Sequence, residues 1–365
     1  MLPIKTVLGF FQINVVKDYV MVDYLIKAGD LLALAVSMIN NSNRFHEAVA
    51  FITAHGPVQL LILFLFSSMV MVWRLNAMER KGFEGTMVGT LIMPYCSGFS
   101  NLAFAFVMGR TGGGGSLVLE NCIVNNVTNL TLILAIPALF HGVRLCKDPE
   151  NQEERISYFS LLLTIVALLF FTGGAWTLAR DGIIDFSDGL MLCGLFLFWQ
   201  IIHLFEIMKT NVRKQQTLAP SLILDLIFVG LCAWACLYTI EGLVDWISLH
   251  GRGWFSLKYL GLLSGVLMVI PNALLALYYS VKGRADIAYA SQMGDCHICI
   301  PLCIGLFALF TPITLPDSFF PGILTIAGAG GIHLIFSGCM GRIPRIVGGA
   351  LAFGYGCFVL NSMGI

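Results

Sequence analysis

Long apolar stretches separated by short polar links dominate the sequence. Ten stretches of about 20 apolar residues each are long enough to cross a bilayer as helices. Polar residues concentrate in brief links between them, such as 146–155 and 209–216. The pattern therefore predicts an all-α membrane protein with about ten transmembrane helices. They lie near residues 57–76, 86–108, 117–140, 158–178, 186–208, 218–240, 255–280, 286–310, 319–340 and 344–363.

The N-terminal 50 residues have a different pattern. Residues 18–40 are apolar, but Asp23, Lys27 and Asp30 recur about one helical turn apart. That spacing is typical of an amphipathic helix lying on the membrane or against the bundle. An eleventh span is the alternative for this segment.

Composition agrees with the apolar pattern. The chain of 365 residues is 58% hydrophobic and 12% charged, whereas soluble domains carry roughly 25% charged residues. We therefore expect an integral, multi-pass protein of a cell membrane, with the lipid bilayer as its surroundings. The net charge of zero argues against nucleic acid as a partner. The eleven cysteines show no secreted disulfide pattern.

Loop charges predict the orientation. With ten spans, the loops on one side of the membrane carry thirteen Lys and Arg residues, and those on the other side carry four. The residues counted exclude the N-terminal segment. Because positive loops stay in the cytoplasm, we expect the first side to be cytoplasmic. The start of span 1 and the C-terminus then lie outside.

Three asparagines mark the third span as polar on one face. Asn121, Asn125 and Asn129 are spaced four residues apart, so a helix places all three amides together. An amide in hydrocarbon is costly unless it has a partner. This face is therefore expected to contact protein, water or an ion.

A second copy of this arrangement lies near the C-terminus. The segments AIPALF (135–140) and GLFALF (305–310) align at an offset of 170, which pairs Asn125 with Asp295. The preceding helices align at 171, which pairs Asn101 with Asn272. Gly98 and Pro271 lie beside these asparagines, and we expect them to break both helices.

Five spans per half invert the second copy relative to the first. The predicted fold is therefore a 5+5 inverted repeat plus the N-terminal amphipathic helix. Its parts are an N-terminal segment at 1–50, a first five-helix repeat at 51–208, a cytoplasmic linker at 209–217 and a second repeat at 218–365.

The two copies resemble the alpha repeats of the cation/calcium exchanger (sodium/calcium exchanger) superfamily. Its motif is a helix with G-T-S-L-P-E-L, a short loop and a helix with G-N-x-x-G-S-N-I-x-N. Residues 269–302 follow this layout well, and residues 96–130 follow it more loosely. The resemblance implies a cation antiporter without an enzymatic activity or a cofactor other than the transported cation. Spans 1 and 6 would move against the other helices to alternate access.

Departures from the motif alter the expected chemistry. Asn101 and Asn272 stand where the family has a cation-binding glutamate, and Cys299 stands at a position where the family has Asn or Asp. Asp295 falls on a family ligand position, and Glu120 replaces a glycine. Calcium prefers several hard oxygens and usually more than one carboxylate. One or two acids among amides suit a monovalent cation or a weakly held divalent one better.

The predicted cation site has two groups of ligands. The first comprises Asn101, Asn125, Asn129, Asn272 and Asp295, and the second comprises Ser97, Glu120, Asn121, Ser291 and Cys299. The function expected is exchange of calcium, another divalent or a monovalent cation against sodium or protons. If Asp295 or Glu120 takes up a proton, the proton and the cation compete for one carboxylate.

Two alternatives remain open from the sequence. Asp295, Cys296, His297 and Cys299, with Cys303, form a set of soft and hard ligands that suits a transition metal, transported or used by a membrane enzyme. A non-transporting membrane sensor that kept the fold is the other.

Two further polar residues lie within spans. Asp225 is either functional or paired with a neighbouring helix, and His333 is expected to be a hydrogen-bonded packing residue.

Overall fold

The computed structural model describes residues 56–80, 98–110, 112–145, 152–211, 222–253 and 256–363. The predicted amphipathic segment 1–50, most of the linker 209–217 and Ser97 lie outside these residues. The chain divides into two compact units, Met1–Gln59 and Leu60–Ile365. Both five-helix repeats fall almost entirely within the second unit, because helices of each pack against helices of the other.

Helices make up nearly all of the described chain, which confirms the predicted fold class. In chain order the α-helices are α1 (Pro57–Arg80), α2 (Phe99–Arg110), α3 (Gly115–Val127), α4 (Ala135–His141), α5 (Gln152–Leu178), α6 (Phe186–Asn211), α7 (Leu222–His250), α8 (Leu260–Val281), α9 (Ala285–His297), α10 (Ile304–Ala308), α11 (Phe319–Met340) and α12 (Arg345–Met363). Two π-helical segments, Thr128–Ile133 (π1) and Ile298–Cys303 (π2), join α3 to α4 and α9 to α10. Short 3-10 turns occupy Ala179–Asp181 and Leu257–Tyr259.

Each of the ten predicted spans overlaps a helix. Seven helices among the described residues are long and apolar enough to cross a membrane, counting α3 to α4 and α9 to α10 as one each. Shorter apolar stretches of α1 and α6, Pro57–Met71 and Phe186–Ile202, match the first and fifth spans. The second span is described only from α2 onwards. The chain is therefore an integral multi-pass membrane protein.

The third and eighth spans form the centre of the bundle. Of their most apolar stretches, 78% and 83% are buried within the protein, against 17% for α7 and 22% for α12. Apolar residues exposed on the outer helices suit contact with lipid, which is as apolar as the protein interior. Polar residues on the two central helices therefore face protein.

The backbone repeats itself with the offsets predicted from the sequence. Helices α3 and α9 both have 13 residues, and their first residues, 115 and 285, are 170 apart. The same offset relates the two π-helical segments, which start at 128 and 298. Helices α2 and α8 end at 110 and 281, an offset of 171.

Two short antiparallel ladders link the repeats. Strand β1 (Val143–Arg144) pairs with β4 (Arg342–Ile343), and β2 (Ile183–Ile184) pairs with β3 (Ile313–Thr314). Each ladder joins the loop after a central span to a loop of the other repeat. The ten-span topology requires β1 and β4 to lie on one side of the membrane, and β2 and β3 on the other. The pairing agrees with it.

Small residues bring α8 close to α3. A Cβ atom at Gly265 would lie 2.8 Å from the Asn121 carbonyl oxygen and from Val124 Cβ, so only glycine fits there. Close approach through glycine is a common device in membrane helix packing. It holds α3, which carries Glu120, Asn121 and Asn125, beside α8, which carries Asn272.

The expected break at Pro271 is not present. Helix α8 runs from Leu260 to Val281 through this proline. Pro271 lacks an N–H and so removes one hydrogen bond, but the remaining turns keep the helix continuous. In the other copy, α2 begins directly after Gly98, whose carbonyl accepts from the Leu102 N–H at 3.0 Å.

Candidate cation site

Four helices from the two copies converge on one buried polar cluster. Helices α2 and α3 contact each other, as do α8 and α9, and contacts also run between the pairs. The cluster consists of side chains that are 0–2% exposed: Asn101, Asn121, Asn125, Asn129, Asn272, Ser291 and Asp295, with buried Cys299. Hydrogen bonds join four of these eight predicted residues, Asn125, Asn129, Asp295 and Cys299, and the other four are buried on α2, α3, α8 and α9.

Asn129 connects the two copies at the centre of this cluster. Its Nδ2 donates to Asp295 Oδ2 at 2.7 Å and to Asn125 Oδ1 at 2.9 Å. The Cys299 thiol also donates to Asn125 Oδ1, at 3.4 Å. Asn129 lies in π1, and π-helical turns often occur at functional sites because they re-aim a side chain.

Several polar atoms in the cluster have no hydrogen-bond partner in the structure. They include both amide atoms of Asn101 and Asn272, together with Asn129 Oδ1, Asp295 Oδ1 and Ser291 Oγ. Asn272 also lies beside the Asp295 carboxylate, although its amide atoms do not reach good hydrogen-bond geometry. Unpaired buried polar atoms are costly and rare. Oxygens of this kind, gathered from both copies, are suited to coordinating a cation.

Asn121 lies one turn away from this centre, towards the start of α3. Its Nδ2 donates to Ser264 Oγ at 2.9 Å and contacts Met268 Sδ at 3.5 Å, which ties α3 to α8. Its Oδ1 has no partner. Asn121 therefore combines a packing contact with one oxygen available to a ligand.

Glu120 is not part of the hydrogen-bonded cluster. The side chain is half-buried, and Ser318 Oγ donates to its Oε1 at 3.4 Å. The carboxylate also lies close to the first turn of α8, because a Cβ atom at Gly261 would meet its Oε2. A negative charge is favourable near a helix N-terminus. The contacts found for Glu120 are thus with Ser318 and the start of α8, and none is with the other predicted ligands.

Gln292 extends the cluster beyond the prediction, whereas Asn126 lies outside it and joins two helices. Gln292 Nε2 donates to the Asn272 carbonyl at 3.4 Å, and its Oε1 has no partner. Asn126 Nδ2 donates to the Cys296 carbonyl at 3.1 Å, so it braces α3 against α9. Gln292 is three residues before Asp295, and helical spacing alone points to it as a neighbour on the same face.

The alternative transition-metal cluster is not formed. His297 Nε2 contacts the Thr164 carbonyl at 3.0 Å, and its ring lies edge-on to Phe171 and Trp199. Consecutive helical residues point about 100° apart, so His297 and Asp295 face different neighbours. Among the described residues no three His, Cys, Asp or Glu side chains form a group suited to a metal ion.

The thiol of Cys122, which the sequence analysis did not single out, lies next to Cys299. Cys122, on α3, is fully buried and lies near the thiols of Cys299 and Cys303. Only the alignment of α3 with α9 pointed to this neighbourhood from the sequence.

Two polar residues outside the cluster have partners on neighbouring helices. Asp225 Oδ1 accepts from Arg74 Nη1 at 3.3 Å, which joins α7 to α1. His333 Nε2 donates to the Leu130 carbonyl at 2.8 Å, and its Nδ1 lies 3.4 Å from the Tyr289 hydroxyl. These contacts favour the second of the two alternatives for Asp225, pairing with a neighbouring helix, and agree with the packing role expected for His333.

Comparison with known proteins supports the resemblance seen in the sequence. The sequence model of the family described as sodium/calcium exchanger protein matches residues 54–205. This range holds α2, α3 and π1, and hence all the first-copy residues of the cluster. No curated protein matches the sequence significantly.

Solved structures of a sodium-calcium exchanger, NCX_Mj, have the same fold. One, soaked with 10 mM Na+ and zero Ca2+, superposes with a TM-score of 0.59 at 17% identity, covering 85% of this chain and 98% of the other. Another, soaked with zero Na+ and Ca2+, gives 0.59 at 15% identity, with 86% and 99% covered. At this identity the match establishes the fold, and the described helices share it over almost the whole exchanger.

Proposed function

We propose that the chain, which resembles sodium/calcium exchangers in part of its sequence and in its fold, is a secondary active cation antiporter. It binds its cation at mid-membrane, between the helix pair α2 and α3 and the helix pair α8 and α9. Asn101, Asn125, Asn129, Asn272 and Asp295 supply the central oxygens. Asn121, Ser291 and Gln292 border them. Sodium or protons drive the exchange.

The observation that carries this proposal is the contact between Asn129 and Asp295. It joins one inverted copy to the other at 2.7 Å, among fully buried oxygens that have no partner. Transporters with inverted repeats bind their ions where the repeats meet, near the middle of the bilayer. An enzyme or a purely structural helix bundle has no need for such a set of unpaired oxygens.

Charge narrows the class of cation. Asp225 and Asp295 are the buried acids of the described chain, and Asp225 is paired with Arg74 away from the cluster. The cation therefore meets one carboxylate among neutral amides. Coulomb attraction between a divalent ion and each further carboxylate is worth several kcal/mol, on the order of 4 per unit charge, at intermediate dielectric. We infer a monovalent cation, or a divalent cation held weakly.

Alternating access involves α1 and α7, the first helices of the two repeats. The Arg74–Asp225 pair joins them, and the Ser68 hydroxyl lies 3.3 Å from the Cys236 thiol. Neither helix carries a residue of the cluster. They are thus able to shift together against the central helices without dismantling the cation site.

A cation panel in sealed vesicles tests the function. Purified protein is reconstituted, and uptake of sodium, rubidium, calcium, magnesium, manganese, iron and zinc is followed under imposed sodium, potassium and proton gradients. We expect uptake of at least one cation to be driven by an opposing sodium or proton gradient. Absence of both gradient-driven uptake and counterflow for every cation would contradict transport and favour a membrane sensor.

A further inference from the structure

The amide of Asn129 occupies the position between two predicted cation ligands. One NH2 group donates to Asp295 Oδ2 at 2.7 Å and to Asn125 Oδ1 at 2.9 Å. A cation bound by these two oxygens would make the same kind of contact, because both the amide hydrogens and a cation offer positive charge to them. The cluster thus supplies an internal donor to one oxygen of its central carboxylate, Asp295 Oδ2, while Asp295 Oδ1 has no partner.

Strict exchange requires an empty site whose buried charge has no partner within the protein. An exchanger couples two fluxes when its empty site cannot cross the membrane, and buried carboxylates without a counter-charge prevent that crossing because each is costly in low dielectric. Here Asn101 and Asn272 are neutral, and Asp295 is the one carboxylate of the cluster in the described chain. A hydrogen bond to a charged acceptor is among the stronger ones. The empty site therefore buries one charge, to which the Asn129 amide donates, and this is a smaller obstacle to crossing than several carboxylates without donors.

We propose that the protein also carries its cation without a counter-ion, as a uniporter. The site returns empty with the Asn129 amide in the place of the cation. On binding, the cation displaces this NH2 group, and the side chain turns so that its Oδ1, which has no partner now, faces the ion. The inference rests on the proposed cation site and concerns how tightly its two fluxes are coupled.

Net efflux from the unmodified protein is the first test. Vesicles are loaded with radiolabelled sodium, or with radiolabelled calcium, and diluted into buffer whose only cation is bulky N-methylglucamine. Thiocyanate on both sides cancels the membrane potential, and an internal dye reports proton entry. We expect net efflux at no less than about a tenth of the exchange rate, without matching proton entry. Efflux near that of protein-free vesicles, alongside robust exchange, would overturn the inference.

Variants at Asn129 test the cause of the net flux. Asn129→Asp places a second carboxylate next to Asp295 and removes the stand-in amide, so net flux falls at least tenfold relative to exchange. Asn129→Ala also removes the amide, and the ratio of net flux to exchange falls as well. Asn126→Ala is the matched control: it deletes a buried amide bond between α3 and α9 that does not involve Asp295. Its ratio stays within about twofold of the unmodified protein.

Asn272→Glu gives an independent check if the Asn129 variants fold poorly. It adds a carboxylate beside Asp295, so net flux again falls more than exchange. Equal losses of both fluxes in every variant would show Asn129 to be merely structural and would refute the inference. Loss of all cation movement in the unmodified protein would instead refute the proposed function, so the two failures are distinguishable.

Discussion

The two inverted copies share a backbone but differ in chemistry. Helices α3 and α9 have equal length, and each leads into a π-helical segment of six residues at the same offset. The first copy contributes neutral amides to the cluster, Asn101, Asn121, Asn125 and Asn129. The second contributes the carboxylate of Asp295 and the thiol of Cys299.

This difference shows which properties the repeat fixes. Fold symmetry sets where the ligands stand, since Asn125 and Asp295 are equivalent and both accept from the same Asn129 amide. It does not set which copy carries the charge. The following changes move this charge to the other copy, add a second charge, or alter the contacts that surround it, and so test how far the two copies are equivalent.

Moving the carboxylate should have the largest effect. Asp295→Asn removes the charge, and we expect cation uptake to fall about a hundredfold, because truncating one partner of a buried charged contact costs 2–5 kcal/mol. Asn125→Asp combined with Asp295→Asn restores a carboxylate that accepts from the same amide. We expect the double variant to recover to within about tenfold of the original rate.

Uptake of radiolabelled cation, normalised to folded protein, measures both variants. Asn126→Ala serves as the control for removing a buried amide contact from α3. If the double variant remained as inactive as Asp295→Asn, the two positions would not be equivalent, and the symmetry of the site would be of backbone only.

Adding a charge should change selectivity. Asn272→Glu places a second carboxylate next to Asp295, and Asn101→Glu does so from the other copy. We expect either to strengthen calcium binding at least about tenfold, because each carboxylate attracts a divalent ion by several kcal/mol. Isothermal titration with calcium and sodium measures the shift. A gain for sodium as large as that for calcium would argue against charge as the basis of selectivity.

The sequence was sufficient for the fold and most of the cluster. Apolar stretches predicted the helices, and the alignment of Asn125 with Asp295 predicted their meeting, because spacing on a helix fixes direction. It was wrong about Pro271, since one missing hydrogen bond does not break a helix supported by its neighbours. It also placed Glu120 among the ligands, whereas the contacts of Glu120 with Ser318 and the start of α8 depend on tertiary packing.

Supporting contacts of the π-helical segments should have a smaller effect. His333 donates to the Leu130 carbonyl, next to Asn129, at 2.8 Å. We expect His333→Leu to weaken cation binding about tenfold, since losing a buried hydrogen bond costs about 1–3 kcal/mol. His297→Leu removes a similar contact, to Thr164 on α5, which carries no cluster residue.

Equilibrium binding and thermal unfolding together measure this pair of variants. Both should lower the unfolding temperature to a similar extent, while cation affinity falls more for His333→Leu. Equal affinities in the two variants would mean that π1 positions Asn129 without help from His333.

Loosening the first helices should have the smallest effect. Arg74 and Asp225 join α1 to α7, and Arg74 is 27% exposed, so solvent screens part of their attraction. Arg74→Gln should slow transport a few-fold, on the order of 1 kcal/mol, and leave cation affinity unchanged, because neither helix carries a residue of the cluster. A double-mutant cycle with Asp225→Asn, measured as uptake rate, isolates the interaction between the two side chains. If the rate losses of the two single variants simply added in the double variant, α1 and α7 would not need this contact to move together. A change in cation affinity would contradict the proposal that α1 and α7 move without altering the cation site.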